Sequence, residues 1–209
     1  MKTSIKSLIA LAVTGLVLTT ATINVKAEDN TQVTVLSEVK KVNKINVCGN
    51  VELILVQSAD ESVKVYDNYF SKNALVQQKN GELRISSFNK ETLTVVVYVT
   101  SLTEITASNN ASVRTSGKFN TLDLAVNLND NATAKLNTNT ISLSTNVGGQ
   151  ANLTLSGSTT AYDAVLGSVA KVNMEQFVAE TTNIKSQNAA IATVIAPVTL
   201  PTSDDLVNL

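Results

Sequence analysis

A repeat of 19 to 21 residues in the second half of the chain constrains its fold more than any other feature. Alanine recurs in steps of 21, 19, 19 and 19, at positions 111, 132, 151, 170 and 189. An apolar residue follows each alanine by two positions, giving Val113, Ala134, Leu153, Val172 and Ile191. A fixed period of this length indicates one small structural unit stacked on the next.

Each copy of the repeat predicts short β-strands. Apolar and polar positions alternate inside a copy, and turn residues such as Ser116-Gly117 and Ser156-Gly157 separate the runs. A copy is too short for a strand–helix–strand unit, which needs roughly 30 residues or more. We therefore predict an all-β fold, a single-stranded parallel β-helix with coils of about 19–21 residues, and a right-handed winding is favoured. An antiparallel sandwich or barrel is the alternative, because it also has a strand roughly every 8–12 residues.

Stacked coils place equivalent residues of successive copies in columns. Asparagines are expected to stack along the axis in two pairs, Asn127 with Asn146 and Asn110 with Asn131, because amides in register can bond to one another. One inward column is predicted to hold Ile105, Val126, Thr145 and Ala164, and a shift of one residue in the last copy brings in Ile184.

Residues 28–101 predict more irregular β-strands ahead of the regular coils, which are expected over residues 102–196. The dipeptide Asn80-Gly81 is a strong hairpin signal, and a helical turn is expected only at Asp67–Lys72. The β-branched run Leu93–Thr100 predicts a strand buried on both faces.

The one cysteine, Cys48, lies in the alternating segment Ile45–Gly49. We predict that it points inward as a small apolar residue, because free cysteine is among the most buried residue types. An intermolecular disulfide is the alternative in an oxidising compartment.

The first 27 residues predict a secretory signal peptide. Lys2 and Lys6 precede the apolar run Leu8–Leu18, and small residues in Val25-Lys26-Ala27 predict cleavage before Glu28. At about 1.5 Å per helical residue, the apolar run is too short for a bilayer core of about 30 Å. We expect an exported protein in the periplasm, at the cell surface or secreted, with no membrane span after cleavage. The domain is predicted over residues 28–196, followed by a C-terminal tail over 197–209.

Composition argues against several kinds of chemistry. The chain has no histidine, one cysteine and a net charge of −1, so it lacks the commonest general base and a cysteine-based zinc site, and it has no basic excess for nucleic acid. Asp123, Asp130 and Asp163 occupy different columns of the repeat and are not expected to converge. We predict no catalytic residue, no cofactor and no metal site, and therefore no enzyme.

Three segments of the chain form a recognisable set: Lys44–Leu53 (KINVCGNVEL), Asn80–Ile85 (NGELRI), and Val97–Ile105 with the small-residue corners that follow it. In this order and spacing they resemble the head GIN domain family of putative auto-transporter adhesins, a family of exported bacterial proteins. The resemblance extends from about Val39 to Val194 and implies a β-helical fold, export and adhesion. The chain departs from the family's Ser-Gly corners by having Asn109-Asn110 and Asp130-Asn131.

Two groups of residues are candidates for a binding surface. Tyr66, Tyr69 and Phe70 would anchor a sugar or a protein if exposed, or would cap the end of the coil stack if buried. Asn110, Asn131 and Gln150 recur beside the alanine column. The hypothesis is adhesin-like binding of a glycan or a cell-surface protein through a polar β-helix face, with an oligomer left open. The alternatives are a carbohydrate-active β-helical lyase or hydrolase and a purely structural envelope protein.

Overall fold

The computed structural model describes residues 33–66, 74–187 and 193–195, and every regular element in these ranges is a β-strand. The strands are β1 (Val33–Leu36), β2 (Lys44–Gly49), β3 (Val51–Gln57), β4 (Ser62–Tyr66), β5 (Ala74–Lys79), β6 (Glu82–Ser87), β7 (Leu93–Val99), β8 (Glu104–Ser108), β9 (Ser112–Thr115), β10 (Phe119–Asn120), β11 (Asp123–Leu128), β12 (Thr133–Val147), β13 (Asn152–Leu166), β14 (Lys171–Ser186) and β15 (Thr193–Ile195).

All fifteen strands belong to one mixed sheet, in which the long strand β12 pairs with β9, β10 and β11 in turn and is followed by the equally long β13 and β14. The first halves of these long strands continue a wall of β1, β4, β7, β3 and β9, which we call the first wall. Their second halves continue a wall of β5, β6, β2, β8 and β11, the second wall. Three pairs are antiparallel, namely β1–β4, β4–β7 and β5–β6, and the other pairs are parallel.

Successive copies of the repeat pair in parallel, as the sequence predicts. Ala134 pairs with Val113 on one side and with Leu153 on the other, and Leu153 pairs with Val172. The partner of Val172 in β15 is Val194, whereas the predicted Ile191 lies outside the described residues.

A β-bulge explains why the last copy needed a shift of one residue. The register between β13 and β14 slips between Thr154 and Ser156, so β14 carries one extra residue there. Beyond the bulge Ala164 pairs with Ile184, which confirms the predicted column.

The all-β class is confirmed, but a single-stranded parallel β-helix is not, because the sheet is mixed. The antiparallel strands come from the first half of the chain, where β4 reverses direction between β1 and β7. These strands are also more regular than predicted, since they pair in register within the same sheet as the repeat.

The two walls enclose one hydrophobic core of mainly aliphatic residues, to which Phe119, Tyr162 and Phe177 also belong. Side chains alternate along each strand, so every second residue points inward. The alanines of the repeat, Ala111, Ala132, Ala151 and Ala170, are almost completely buried at the corner that leads into the first wall.

Tight turns at this corner need a left-handed backbone residue two positions before each of the first three alanines. Asn109 and Asp130 adopt it with φ of 59°, and Gly149 with φ of 60°. Asparagine and aspartate tolerate this region better than other non-glycine residues. The two positions at which the chain departs from the family's glycine therefore keep the glycine-like turn.

Two predictions about the first half are wrong. Strand β7 is buried on one face only, since Thr94, Val96 and Tyr98 are half-exposed. Cys48 is also half-exposed, because Ile45 and Val47 point inward and the alternation turns the cysteine to the outside.

The predicted signal peptide, the helical turn at Asp67–Lys72 and the C-terminal tail lie outside the described residues. Within the described part of the chain, there is no helix with the length and apolar character that a membrane crossing requires.

Candidate ligand-binding surface

The outward side of β4, β7 and β3 carries a continuous group of half-exposed apolar and aromatic side chains, which we call the tyrosine face. Its members are Lys64, Tyr66, Thr94, Val96, Tyr98, Glu52, Ile54 and Val56. The residues between them along each strand point inward and are buried, including Val65, Val97 and Leu53. Because side chains alternate along a strand, packing of the inward residues in the core fixes the positions from which the outward side chains project.

Strand pairing places the members of the tyrosine face in rows. Thr94 lies between Tyr66 and Glu52, and Val96 lies between Lys64 and Ile54. Tyr98 pairs with Val56 at the next outward position. The middle row therefore holds two aliphatic side chains, Val96 and Ile54, beside Lys64.

A cation covers one of the tyrosines. The Lys64 ammonium lies 4.9 Å from the centre of the Tyr98 ring, which is within the range of a cation–π interaction. This contact fixes the ring from one side and brings a positive charge onto an otherwise apolar surface.

Polar contacts tie the tyrosine face to its neighbour β9. Arg114 Nε donates to Glu52 Oε1 at 3.1 Å, and Thr94 Oγ1 donates to Glu52 Oε2 at 3.5 Å. The Glu52 carboxylate therefore joins three adjacent strands at the margin of the apolar rows.

Of the predicted anchors, the structure describes only Tyr66; Tyr69 and Phe70 lie outside the described residues. Tyr66 is half-exposed on the outer surface of β4, while its neighbour Val65 points into the core. The end-cap interpretation concerned all three aromatic residues, so it stays a prediction for Tyr69 and Phe70.

The structure brings Asn110, Asn131 and Gln150 together, all exposed, at the corner that leads into the first wall. Asn131 Nδ2 donates to Asn110 Oδ1 at 3.5 Å, so the predicted amide stack forms here. Asn110 lies two residues before Ser112, which pairs with Glu52, so the amide corner borders the same wall as the tyrosine face.

The second predicted amide stack is different. Asn127 and Asn146 pair in register on the second wall, but Asn127 Nδ2 donates to Glu104 Oε1 at 3.3 Å. Glu104 also forms an ion pair with Lys44, whose Nζ lies 2.9 Å from Glu104 Oε2, so this region holds a polar network.

Sequence reasoning missed Tyr98, Ile54 and Val96, which form the centre of the tyrosine face. The signal was present, because β7 places a threonine and a tyrosine at positions of the same parity as Val96. A strand that is buried on both faces is usually apolar throughout, so the threonine and tyrosine on one face of β7 indicate that this face is partly exposed.

Ion pairs on the second wall adjust two ionisable groups. The hydrogen bond from Arg84 holds the pKa of Glu82 below its ordinary value, and the two side chains meet at 2.9 Å. The hydrogen bond with Glu104 raises the pKa of Lys44.

Two concavities lie outside the tyrosine face. A cleft of about 630 Å³ is lined by Lys41, Asp60 and Thr100 among others, and the Glu61 carboxylate accepts hydrogen bonds there from the Lys41 and Thr100 amides. A groove of about 600 Å³ carries the exposed side chains of Leu122 and Ile141.

The three aspartates with possible catalytic roles are kept apart. Asp123 pairs with Ser142, Asp163 pairs with Ser144 two residues further along, and Asp130 lies in a corner turn, where it accepts from the Asn109 amide at 3.0 Å. Among the described residues, no group of three histidine, cysteine or acidic side chains is arranged to hold a metal ion.

Residues 41–201 match the family model described as putative auto-transporter adhesin, head GIN domain. The chain belongs to the head GIN domain family. The match covers every strand from β2 to β15 and the whole tyrosine face, leaving out only β1 among the described strands, and it agrees with the resemblance found in the sequence. No curated protein matches the chain.

Solved structures share the fold of this head GIN domain at low sequence identity. A putative lipid binding protein from Parabacteroides distasonis has a TM-score of 0.61 at 11% identity, over 78% of this chain and 80% of that one. A putative adhesin from the same species has a TM-score of 0.59 at 18% identity, over 81% and 84%. A putative adhesin from Parabacteroides merdae has a TM-score of 0.58 at 16% identity, over 81% and 83%.

Proposed function

We propose that this head GIN protein is a non-enzymatic surface protein that binds a glycan or a protein through the tyrosine face. The observation that carries the proposal is that Tyr66, Ile54 and Tyr98 share the outward side of β4, β3 and β7 in three successive rows, each of them partly exposed. Tyrosine rings offer an apolar body and a polar tip at low entropic cost, which is why they are enriched at binding surfaces. The adhesin family and the adhesin-named neighbours support the same class of function.

The proposal includes export and a layout of the chain. A signal peptide over residues 1–27 is cleaved before Glu28, a domain over 28–196 follows, and residues 197–209 form a tail. Residues 102–196 wind as right-handed coils of a parallel β-helix. The protein then acts in the periplasm, at the cell surface or after secretion, which is compatible with the adhesin family.

Polymer cleavage is the less favoured function. Glycoside hydrolysis generally needs two carboxyl groups flanking one bond, and Asp123, Asp130 and Asp163 do not converge. A degradation assay on the purified protein tests this directly: release of reducing ends that is lost in Asp163→Ala would replace binding by catalysis.

Retention on intact cells and on immobilised polysaccharides tests the binding surface. Tyr98→Ser and Ile54→Ser should each weaken retention at least about tenfold, because central aromatic and aliphatic anchors carry most of the energy of such surfaces. Leu75→Ser is the matched control, since Leu75 is 50% exposed on β5 at the edge of the second wall.

The thermal midpoint of each variant must stay close to that of the wild type for the comparison to count. Retention of Tyr98→Ser equal to that of the wild type would move the site elsewhere. Absence of retention by the wild type on every surface would favour a purely structural envelope protein.

A further inference from the structure

Cationic side chains continue the tyrosine face along the outer surface of the first wall. Arg114 lies beside Ile54, and Lys135 pairs with Arg114 on the next strand. Lys171 lies two strands beyond Lys135 at a neighbouring outward position, and Lys64 lies at the other end of the same surface. We call Arg114, Lys135 and Lys171 the basic strip.

Positive charge exceeds negative charge on this surface. The acids at the described outward positions of the first wall are Glu52, which is paired with Arg114, and Glu175 at the β14 bulge. Lys135 and Lys171 are exposed, and neither forms an ion pair within the described part of the chain. The whole chain has a net charge of −1, so this wall is positive against the average of the molecule.

Neutral hydrogen-bonding groups separate the cations. Thr133, Asn152, Thr154 and Asn173 occupy the outward positions between and beside Lys135 and Lys171. At about 4.8 Å between strands, the two lysines belong to strands that lie about 10 Å apart. Duplex DNA carries a charge about every 1.7 Å, so cations this sparse are a poor match for nucleic acid.

We propose that the occupant of the first wall is an acidic polysaccharide, a chain of sugars bearing carboxylates at intervals. The carboxylates pair with Lys135 and Lys171, the hydroxyl groups bond to the amides and hydroxyls between them, and sugar rings pack on Tyr98 and Ile54. This inference rests on the proposed function and specifies its ligand class. Apolar packing, neutral hydrogen bonding and spaced positive charge on the outer side of one wall together fit such a chain.

Polygalacturonate and its fully methyl-esterified form are a matched pair of probes, because they share one sugar backbone and the methyl ester removes the charge of each carboxyl group. The purified protein should bind polygalacturonate at least about tenfold more tightly than the ester, since hydrogen bonds to charged groups are the stronger ones. Raising the salt concentration should weaken binding to the acid and leave binding to the ester unchanged.

The double variant Lys135→Gln/Lys171→Gln should lose at least about tenfold in binding to polygalacturonate and keep the wild-type affinity for the ester. The control is Lys79→Gln/Lys185→Gln, which removes the same charge from exposed residues of the second wall. It should bind both probes like the wild type.

Separate outcomes distinguish the inference from the function on which it rests. Equal affinity for both probes, with Tyr98→Ser still defective, overturns the acidic ligand and keeps the tyrosine face as a glycan site. Equal binding of polyglutamate or duplex DNA overturns the polysaccharide in favour of a general charge effect. Cell binding that requires Tyr98 without affinity for either probe also overturns it and indicates a different partner.

Discussion

At the scale of single residues, Thr138 shows a conflict between close packing and the need of a polar group for a hydrogen-bond partner. Strand pairing places four residues in one row across β10, β12, β13 and β14, in the order Phe119, Thr138, Gly157 and Phe177. Thr138 is completely buried there, and its hydroxyl has no hydrogen-bond partner.

Replacing Thr138 by valine should therefore stabilise the protein. A buried hydroxyl without a partner costs about 1–3 kcal/mol, and valine has nearly the same shape. Chemical denaturation should show a free energy of unfolding higher by about 1 kcal/mol.

Thr140→Val is the matched control, because Thr140 Oγ1 donates to Thr159 Oγ1 at 2.8 Å. It should lower the free energy of unfolding by about 1 kcal/mol. A loss of stability in both variants would mean that the Thr138 hydroxyl is satisfied after all.

Because Tyr162 is buried, we expect the folded protein to lose stability at high pH. Burial raises its pKa above the ordinary value, although the hydrogen bond with Thr145 at 3.0 Å opposes the shift. Above about pH 10 the unfolded chain releases a proton that the folded chain keeps, so the free energy of unfolding falls as the pH rises.

Tyr162→Phe should remove part of this alkaline slope, at a cost of about 1 kcal/mol near neutral pH for the lost hydrogen bond. Denaturation midpoints between pH 8 and pH 11 measure both effects. An unchanged slope would assign the alkaline loss of stability to other groups.

At the scale of elements, the repeat was predictable because stacked coils force equivalent residues into columns. The column from Ile105 to Ile184 could be predicted from the sequence alone, and the β14 bulge supplies the physical reason for its one-residue shift. It was harder to predict which side chains of a strand point inward and which point outward. Cys48 was predicted to point inward and Val96 to be buried in a strand covered on both faces, whereas both side chains are partly exposed on outward positions.

Gly157 tests how closely neighbouring coils approach at a corner. A β-carbon there would lie 2.0 Å from the Thr138 carbonyl oxygen, at a φ of 96°. Gly157→Ala should therefore lower the free energy of unfolding by about 3 kcal/mol or more, from strain and overpacking together.

Gly117→Ala separates the two contributions to that cost. Its φ is 87°, but a β-carbon would meet no atom within 4 Å. It should cost about 1–2 kcal/mol from backbone strain alone. Equal losses from both glycines, measured by denaturation, would show that contact between the coils adds nothing.

At the scale of the whole molecule, sequence predicted a stack of coils but not the mixed sheet. Antiparallel pairing of β4 between β1 and β7 depends on contacts between segments that share no period. The tyrosine face arises from that pairing, because it sets Tyr66 and Lys64 beside Thr94, Val96 and Ile54. The local cluster of aromatic residues in the sequence pointed to Tyr66, but it pointed to neither Tyr98 nor the aliphatic residues of the face.

The location of binding on the molecule is the most direct test of this account. Polygalacturonate, added to isotopically labelled protein, should shift the NMR signals of Tyr98, Ile54 and Lys135, while those of Leu75 and Leu122 stay in place. Shifts confined to the Leu122 groove, to the cleft beside Lys41 or to the second wall would contradict the assignment of the tyrosine face as the binding surface.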